Sequence, residues 1–561
     1  MTKEAIIKAI KEASGAKEIE LEFPENEAHG DYTTNVALKL KESGPKEGNP
    51  REVAEKIVVK LKGNPTAKKL FENIEVAGPG FINFRLKDAV LIDNLREIIK
   101  QKEKYGTSRT GAAKTVVIDY SSPNIAKTFG VGHLRSTIIG AALNSLYKAL
   151  GYEVVGDNHL GDWGTQFGAL LYQIDSQKLS LASLSVEKLE DLYIDFHKKA
   201  KENPELEDEA RKWFKKLEEG EAKAKKVWQE CVDVSMKEFD RIYNLLGVKI
   251  DFAFGESYYE SEMKQLLADA RVQRFLTDGE DGAKIIDLTQ FGITTPIMVL
   301  KKDGATTYAT RDLATIRFRV RKWDPDVIIY EVGAEQTLHF KQLFAAAKLL
   351  KLIDPKVALI HTAHGLYLAP DGKKFSTRQG KTIKLDEVLK EAIERAKKLG
   401  NKNEKLAQEV GIGAIKYYDL MHSLSSNVIF SWEKIMNLEG NSGPYLQYTV
   451  ARINSVLAKS KKSGLKEKTL QESTNLDASE ASILRALYKF GEIIEQSAIG
   501  FSPNILCNYL YDLAQKFNSF YNGDRIIGSD NEDFRLALTL GTGQVLKNGL
   551  KILGISTPAK M

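Results

Sequence analysis

The chain has 561 residues, of which 43% are hydrophobic and 28% charged, with two cysteines and a formal net charge of +5. That apolar content fills several cores, roughly three to five domains on the usual length prior, and two cysteines exclude a disulfide framework or a thiolate zinc cluster. No apolar run reaches the roughly 18 residues that span a bilayer, and the N-terminus lacks the core of a secretory signal. A multidomain cytoplasmic protein is therefore expected, with Cys231 and Cys507 as buried thiols and any nucleic-acid binding confined to local patches.

Residues 1 to about 105 read as a small α/β module, with a helix through Ile6, Ile7 and Ile10 and strands near Ile19 and Phe81. The segment Ala77-Gly-Pro-Gly-Phe-Ile-Asn-Phe-Arg has turn residues followed by alternation, a hairpin with Phe81 and Asn83 on one face. Such a pair suits stacking and hydrogen bonding to an unpaired base, or simply a sheet residue and a turn cap.

From residue 106 strands alternate with helices. Thr115-Val-Val-Ile-Asp-Tyr reads as a buried strand, and Leu134, Ile138, Ala142 and Leu146 recur at helical spacing until Gly151. Between them lies Asn124-Ile-Ala-Lys-Thr-Phe-Gly-Val-Gly-His-Leu-Arg-Ser, a strand-to-helix junction whose free N–H groups and dipole favour an anion, with Gly130 and Gly132 removing side chains from its approach. His133 adds a donor there. The strand at Glu153-Val-Val-Gly-Asp, then Val327-Ile-Ile-Tyr-Glu-Val, a helix through Phe340, Leu343 and Leu350, and Val357-Ala-Leu-Ile-His complete βαβ logic, a parallel doubly wound sheet whose ligands bind at the carboxyl ends of its strands. Residues 185 to 247 interrupt it as charged helices with an apolar stripe of Trp213, Leu217, Trp228, Cys231 and Phe239; their interspersed Lys and Glu read as a solvated face.

Several strand ends carry polar residues suited to a planar guanidinium, which needs carboxylates and in-plane acceptors. Asp119 ends the first strand, Tyr308 and Asp312 share a helix face, and Gln336 follows the 327 to 332 strand; each also has an ordinary reading as a cap or surface pair. His159-Leu-Gly-Asp-Trp-Gly brackets Asp162 and Trp163 with glycines, as a nucleotide-closing loop or a buried-Trp turn. After His364-Gly-Leu-Tyr comes Gly372-Lys-Lys-Phe-Ser-Thr-Arg-Gln-Gly, a basic loop. Residues from about 405 onward are helical, with Tyr445, Tyr448 and Arg452 able to stack on splayed bases or to fill a core.

Gly-Val-Gly-His-Leu-Arg-Ser resembles the His-Ile-Gly-His signature of class I aminoacyl-tRNA synthetases, and Ser-Ser-Pro-Asn-Ile-Ala-Lys before it resembles the arginyl-tRNA synthetase form. Gly130 stands where the signature has its first histidine, so only His133 inherits a histidine's grip on ATP phosphates. The basic loop is similar to the Lys-Met-Ser-Lys-Ser loop, with Lys374, Phe375 and Ser376 matching and Thr377 replacing the second lysine; Lys127 then stands where arginyl enzymes of that kind carry a compensating cation. Gly-Asp-Trp-Gly, Tyr-Ala-Thr-Arg-Asp-Leu-Ala and Gly-Ala-Glu-Gln-Thr-Leu-His-Phe resemble further segments of the family.

The resemblance implies a multidomain fold: an α/β N-terminal tRNA-binding module (1–105, contacting the tRNA elbow), a doubly wound parallel Rossmann-type catalytic domain (106–370) with a helical insertion around 170–290, a signature loop with stem-contact helices (371–430), and an all-α C-terminal anticodon-binding domain (431–561). It implies catalytic roles for Lys127, His133 and Lys374, ATP binding by Gly130, Gly132, His133, Gly161, Asp162, His364, Lys374 and Ser376, and arginine binding by Asp119, Asn124, Tyr308, Asp312 and Gln336. Phe81, Asn83, Tyr448, Arg452 and Met561 would meet tRNA. The expected partners are L-arginine, ATP with Mg²⁺ and tRNA(Arg), without membrane or protein-held metal, in a monomer. A small-molecule nucleotidyltransferase, and a silent tRNA-binding paralogue suggested by Gly130 and Thr377, are the alternatives.

Overall fold

The strand expected from Thr115 lies at the centre of a parallel sheet. In the computed structural model, which describes residues 2–43, 49–373, 384–400, 403–460 and 476–561, the strands in chain order are β1 (Tyr32–Thr34), β2 (Phe71–Ala77), β3 (Phe81–Leu86), β4 (Thr115–Asp119), β5 (Glu153–Leu160), β6 (Phe252–Gly255), β7 (Thr277–Asp278), β8 (Lys284–Ile286), β9 (Ile297–Leu300), β10 (Val327–Tyr330), β11 (Ala358–His361), β12 (Tyr367–Leu368) and β13 (Val428–Ile429). Contacts divide the chain into two units, one of Met1–Tyr105, Ser455–Phe490 and Leu513–Val545, the other of Gly106–Asn454, Gly491–Asp512 and Leu546–Met561.

In the first unit β1, β3 and β2 form an antiparallel sheet with β3 in the middle. The expected hairpin is β2–β3, turned at Gly78 and Gly80, both at positive φ. The segment around Ile19 is not a strand: only Glu22 bridges to Thr33, because β1 is three residues long and offers no further partner. Asp31 is buried in this unit, where its Oδ2 accepts from the Leu86 amide at 2.7 Å and from Arg485.

In the second unit the sheet order is β11-β10-β4-β5-β6, all parallel. From β4 the chain crosses through the Val131–Ala149 helix to β5, and from β10 through the Thr337–Leu349 helix to β11, in opposite directions along the sheet. Right-handed crossovers place those helices on opposite faces and open a crevice where the order reverses, between the carboxyl ends of β4 and β10. Val117, Ile118, Ile328 and Ile329 are fully buried, as expected of strands covered on both faces.

Between β5 and β6 stand the helices Thr165–Ser176, Val186–Glu202, Glu205–Glu218 and Ala222–Leu246. Their apolar stripe is real: Trp213, Leu217, Cys231 and Phe239 are buried, while the lysines and glutamates pair along the surface. Burial pushes the Cys231 thiol up to about 12, so it is an inert packing group, and Cys507 is buried too. An antiparallel β7-β8-β9 sheet precedes the Tyr308–Trp323 helix. Beyond residue 403 the chain is nearly all helical, with long helices at Gly443–Lys459, Ala478–Ile499, Pro503–Gly523 and Glu532–Ile552. Among the described residues no helix is long and apolar enough to cross a membrane.

Candidate active site

The loop from β4 to the Val131–Ala149 helix is held in an unusual backbone path. Ser121, Ser122 and Ala126 all have positive φ (77°, 44° and 64°), a conformation costing roughly 1–3 kcal/mol per non-glycine residue. Side chains from three elements impose it. Ser136 Oγ accepts from the Ser121 amide at 2.9 Å, Asn158 Oδ1 from the Ser122 amide at 2.9 Å, and Ser235 Oγ from the Ala126 amide at 3.0 Å; Ser121 Oγ meets Thr137 and Tyr243, each at 2.8 Å. Strain so over-determined marks a positioned loop.

The loop ends on the helix N-terminus. Gly130 is its extended N-cap and donates its N–H to His133 Nδ1 at 3.2 Å. Burial, reinforced by Lys127, pushes the His133 pKa below its usual value; a neutral ring accepting at Nδ1 carries its hydrogen on Nε2, as a donor at the helix mouth. The Gly132 amide has no helical carbonyl before it, and among the described residues a Cβ on Gly132 would meet nothing within 4 Å. Among the described residues the mouth is therefore open at Gly132, and it is positive. Lys127 Nζ rests 5.4 Å from the Tyr193 ring, and Thr128 Oγ1 donates to Glu190 at 2.6 Å, so residues 127–128 lean on the Val186–Glu202 helix. Arg135 is fully buried and ties the same helix to the segment beyond β11 through Asp419, the Gly365 carbonyl (3.0 Å) and the Ser426 carbonyl (2.7 Å).

Beside this mouth, across the end of β5, lies a cleft of about 260 Å³ lined by Asn124, Gly161, Trp163, Tyr193, Glu256 and Tyr308 among others. Its size suits one amino-acid side chain. Asn124 bridges to Gly161, and a Cβ on Gly161 would stand 2.2 Å from Asn124 Oδ1, so only glycine lets the two segments meet. Tyr308 is 71% exposed at the mouth, with Arg311 over its ring at 5.4 Å. Glu256 is buried: burial raises its pKa, Arg311 at 3.6 Å opposes, and Asp312 and Asp162 raise it further. Nothing in the sequence singled out Glu256. It follows β6, a four-residue strand without a motif, and sequence spacing gives no hint that it meets Asn124.

Of the other residues proposed for arginine, Asp312 is bonded to His339 at 2.5 Å and Gln336 is exposed at the start of the Thr337–Leu349 helix. Asp119 ends β4 as expected, and its carboxylate is engaged within the protein. Its Oδ2 pairs with Arg319 at 2.8 Å, its Oδ1 accepts from Ser122 at 3.0 Å, and Arg319 also binds Asp157, all deeply buried. Asp119 thus faces an internal guanidinium; Arg319 sits in a basic run that reads as solvated, so the sequence gave no warning. Asp162 also turns inward, accepting from the Ser257 amide (2.8 Å) and hydroxyl (2.6 Å), which fixes the residue next to Glu256.

His364, after β11, is buried and bonded to Glu331. Lys374 and Ser376 lie outside the described residues. Lys384 bridges to Gly130, and the Leu385 amide donates to the Phe129 carbonyl at 2.8 Å, so the chain beyond the basic loop returns to the helix mouth. Among the described residues no cluster of three or more His, Cys, Asp or Glu suits a metal ion.

The residues expected to meet RNA are dispersed. Phe81 is 38% exposed, but Asn83, two residues on along the same central strand, is only 4% exposed. Arg452 lies over the Tyr448 ring at 5.0 Å on one helix face, Tyr445 packs on Tyr511, and Met561 packs against Ala396, Ala407 and Val410.

The geometry has direct counterparts. Residues 94–432 match the family of class I tRNA synthetases (R), catalytic domain, residues 446–561 the DALR anticodon binding domain, and residues 1–86 the arginyl tRNA synthetase N terminal domain. An arginine–tRNA ligase of Exiguobacterium sibiricum is 40% identical over 98% of both chains, and one of Fusobacterium nucleatum 38% identical over 97% of this chain and 96% of that one. The crystal structure of arginyl-tRNA synthetase from Plasmodium falciparum superposes with a TM-score of 0.83 at 26% identity, covering 100% of this chain and 98% of that one. With a helix N-terminus at the end of β4, a cleft holding the buried Glu256 and these matches along the whole length, the chain belongs to the arginyl-tRNA synthetase family of class I aminoacyl-tRNA synthetases.

Proposed function

We propose that the protein activates L-arginine with ATP and esterifies it to tRNA(Arg) for translation. The observation that carries the reading is a buried carboxylate, Glu256, in the same cleft as Asn124 and Tyr308 and beside a helix N-terminus that is open at Gly132 among the described residues. Arginine enters with its guanidinium toward Glu256 and the Tyr308 hydroxyl, Asp312 adding negative potential, while Asn124 holds its amino-acid end. Asp119 serves by holding Ser122, and through it the loop, rather than by gripping the substrate; Gln336 approaches from the β10 side.

The triphosphate lies on the Val131 and Gly132 amides with the His133 Nε2–H, and Lys127 supplies the charge that Thr377 cannot; His364 borders the nucleotide, and Lys374 and Ser376 of the basic loop meet the departing pyrophosphate. ATP arrives as its magnesium salt, the ion offsetting phosphate charge. The arginine carboxylate attacks the α-phosphate in line, giving arginyl-adenylate and pyrophosphate. The 2′-hydroxyl of the terminal adenosine then attacks the carbonyl of the adenylate, forming the ester and releasing AMP, with the hydroxyl proton passing to the departing phosphate or solvent. Neither step asks for a protein nucleophile; positioning and preorganised charge lower the barrier.

We assign residues 1–105 to the tRNA elbow through Phe81, with Asn83 shaping its strand, 106–370 to catalysis, 371–430 to the signature loop and acceptor stem, and 431–561 to the anticodon through Tyr448, Arg452 and Met561. The protein acts as a cytoplasmic monomer. Incubation with labelled arginine, ATP and tRNA tests this: label in tRNA is expected with arginine-accepting tRNA alone, and adenylate formation without transfer would support a nucleotidyltransferase instead.

A further inference from the structure

On the β10 and β11 side of the crevice, away from the amino-acid cleft, a buried carboxylate has no part in the reaction as set out above. Glu331 follows β10 and is fully covered. Its backbone is clamped, the amide donating to the Asp119 carbonyl at 2.9 Å and the carbonyl accepting from Ser136 Oγ of the Val131–Ala149 helix at 2.6 Å. Its side chain therefore stands at a place fixed by both β4 and the signature helix. Oε2 accepts from the Thr362 hydroxyl, and Oε1 lies 2.7 Å from His364 Nδ1.

The backbone of His364 is fixed as firmly, with its carbonyl accepting from the Ala334 amide at 2.9 Å and a strand-like bridge to Gly333. His364 Nε2 faces Gly333, at 3.7 Å from where a Cβ would stand, and among the described residues Nε2 has no hydrogen-bond partner. A buried carboxylate already accepting from threonine must be given the imidazole's hydrogen, since an unmet charge there is costly. With the carboxylate ionised and the ring neutral, the hydrogen sits on Nδ1 and a lone pair on Nε2.

With the triphosphate at the helix mouth and arginine on the β5–β6 side, the nucleoside extends over the carboxyl ends of β10 and β11. A lone pair there accepts from the exocyclic amine of adenine. A 6-oxo purine would instead present a carbonyl oxygen, lone pair against lone pair, which rejects it.

We propose that Glu331 is a positioning residue that locks the His364 imidazole with its Nε2 lone pair toward the nucleotide, so that this side of the crevice selects a 6-amino over a 6-oxo purine triphosphate. The proposal rests on the synthetase reading above. It is tested on the full chain with tRNA(Arg) and arginine, by pyrophosphate exchange with ATP and with inosine triphosphate. Glu331→Gln, whose amide can donate as well as accept, frees the tautomer: the ratio of kcat/KM for ATP over inosine triphosphate falls roughly tenfold, the worth of one hydrogen bond, through the nucleotide KM and with the arginine KM unchanged. His364→Asn keeps a donor for Glu331 but removes the Nε2 acceptor; it gives the same loss and stands in if Glu331→Gln does not fold. An unchanged ratio in the folded variants, or arginine and nucleotide KM rising together, overturns the proposal and leaves a structural pair. Absence of arginine-dependent exchange in the unaltered protein with ATP would instead remove the synthetase reading.

Discussion

Gly161→Ala places a methyl group 2.2 Å from Asn124 Oδ1, where ordinary contact begins at 3.4 Å. The Asn124 amide must retreat by about 1 Å, and Asn124 sits in a loop whose neighbours on both sides are pinned, Pro123 through its carbonyl, which accepts from the Gly161 amide at 3.2 Å, and Ile125 through its amide, which donates to the Gly161 carbonyl at 3.0 Å. The movement therefore falls on the side chain that orients the amino-acid end of the substrate. Misplacing a reacting group by about 1 Å costs up to 10²-fold, so kcat/KM for arginine should drop roughly 30- to 100-fold, while the melting temperature falls by only a few degrees because the loop is at the surface of the cleft and no core atom is lost. Pyrophosphate exchange at varied arginine and at varied ATP separates the effect: the arginine KM rises and the ATP KM stays. A variant with unaltered arginine kinetics would show that Asn124 does not touch the substrate, and equal rises in both KM values would show general collapse of the loop.

Gly132→Ala is the counterpart, since among the described residues its added methyl meets no atom; it should fold with unchanged stability and raise the ATP KM about tenfold by standing in the phosphate approach, measured in the same exchange assay. Lys127→Ala should slow exchange about 10²-fold at saturating substrates, the worth of a cation aimed at developing charge, and near-normal exchange would transfer that role to another group. Glu256→Gln should raise the arginine KM by roughly 10- to 100-fold, as expected for a hydrogen bond to a charged group. Burial lifts the Glu256 pKa above its ordinary value, so the native state holds that proton more tightly than the unfolded chain: its stabilising contribution is full below the unfolded value and is lost as pH rises through the raised folded value. At neutral pH the ionised group is therefore a net cost, and Glu256→Gln should melt slightly higher than the unaltered protein at pH 7 but not at pH 4, checked by thermal denaturation.

The parallel sheet was legible because buried strands such as β4 and β10 are unbroken runs of Val and Ile, and the signature helix because its apolar residues recur every turn before Gly151. The helix mouth was legible from Gly130, Gly132 and His133, whose chemistry is local. What escaped is what tertiary packing decides. Four residues of β6 give no period, so Glu256 could not be placed beside Asn124. Arg319 sits in Arg-Phe-Arg-Val-Arg-Lys, a run that reads as solvated, yet it is the residue of that run driven under the sheet to meet Asp119 and Asp157. Alternation did not predict the burial of Asn83, since a central strand can be covered on both sides.

The most direct test compares arginine with citrulline, its uncharged near-isostere, in tRNA-dependent pyrophosphate exchange. A cleft built around the buried carboxylate of Glu256 should support exchange with arginine and leave citrulline at background. Comparable exchange with citrulline, or none with arginine, would contradict the assignment of that cleft to a guanidinium.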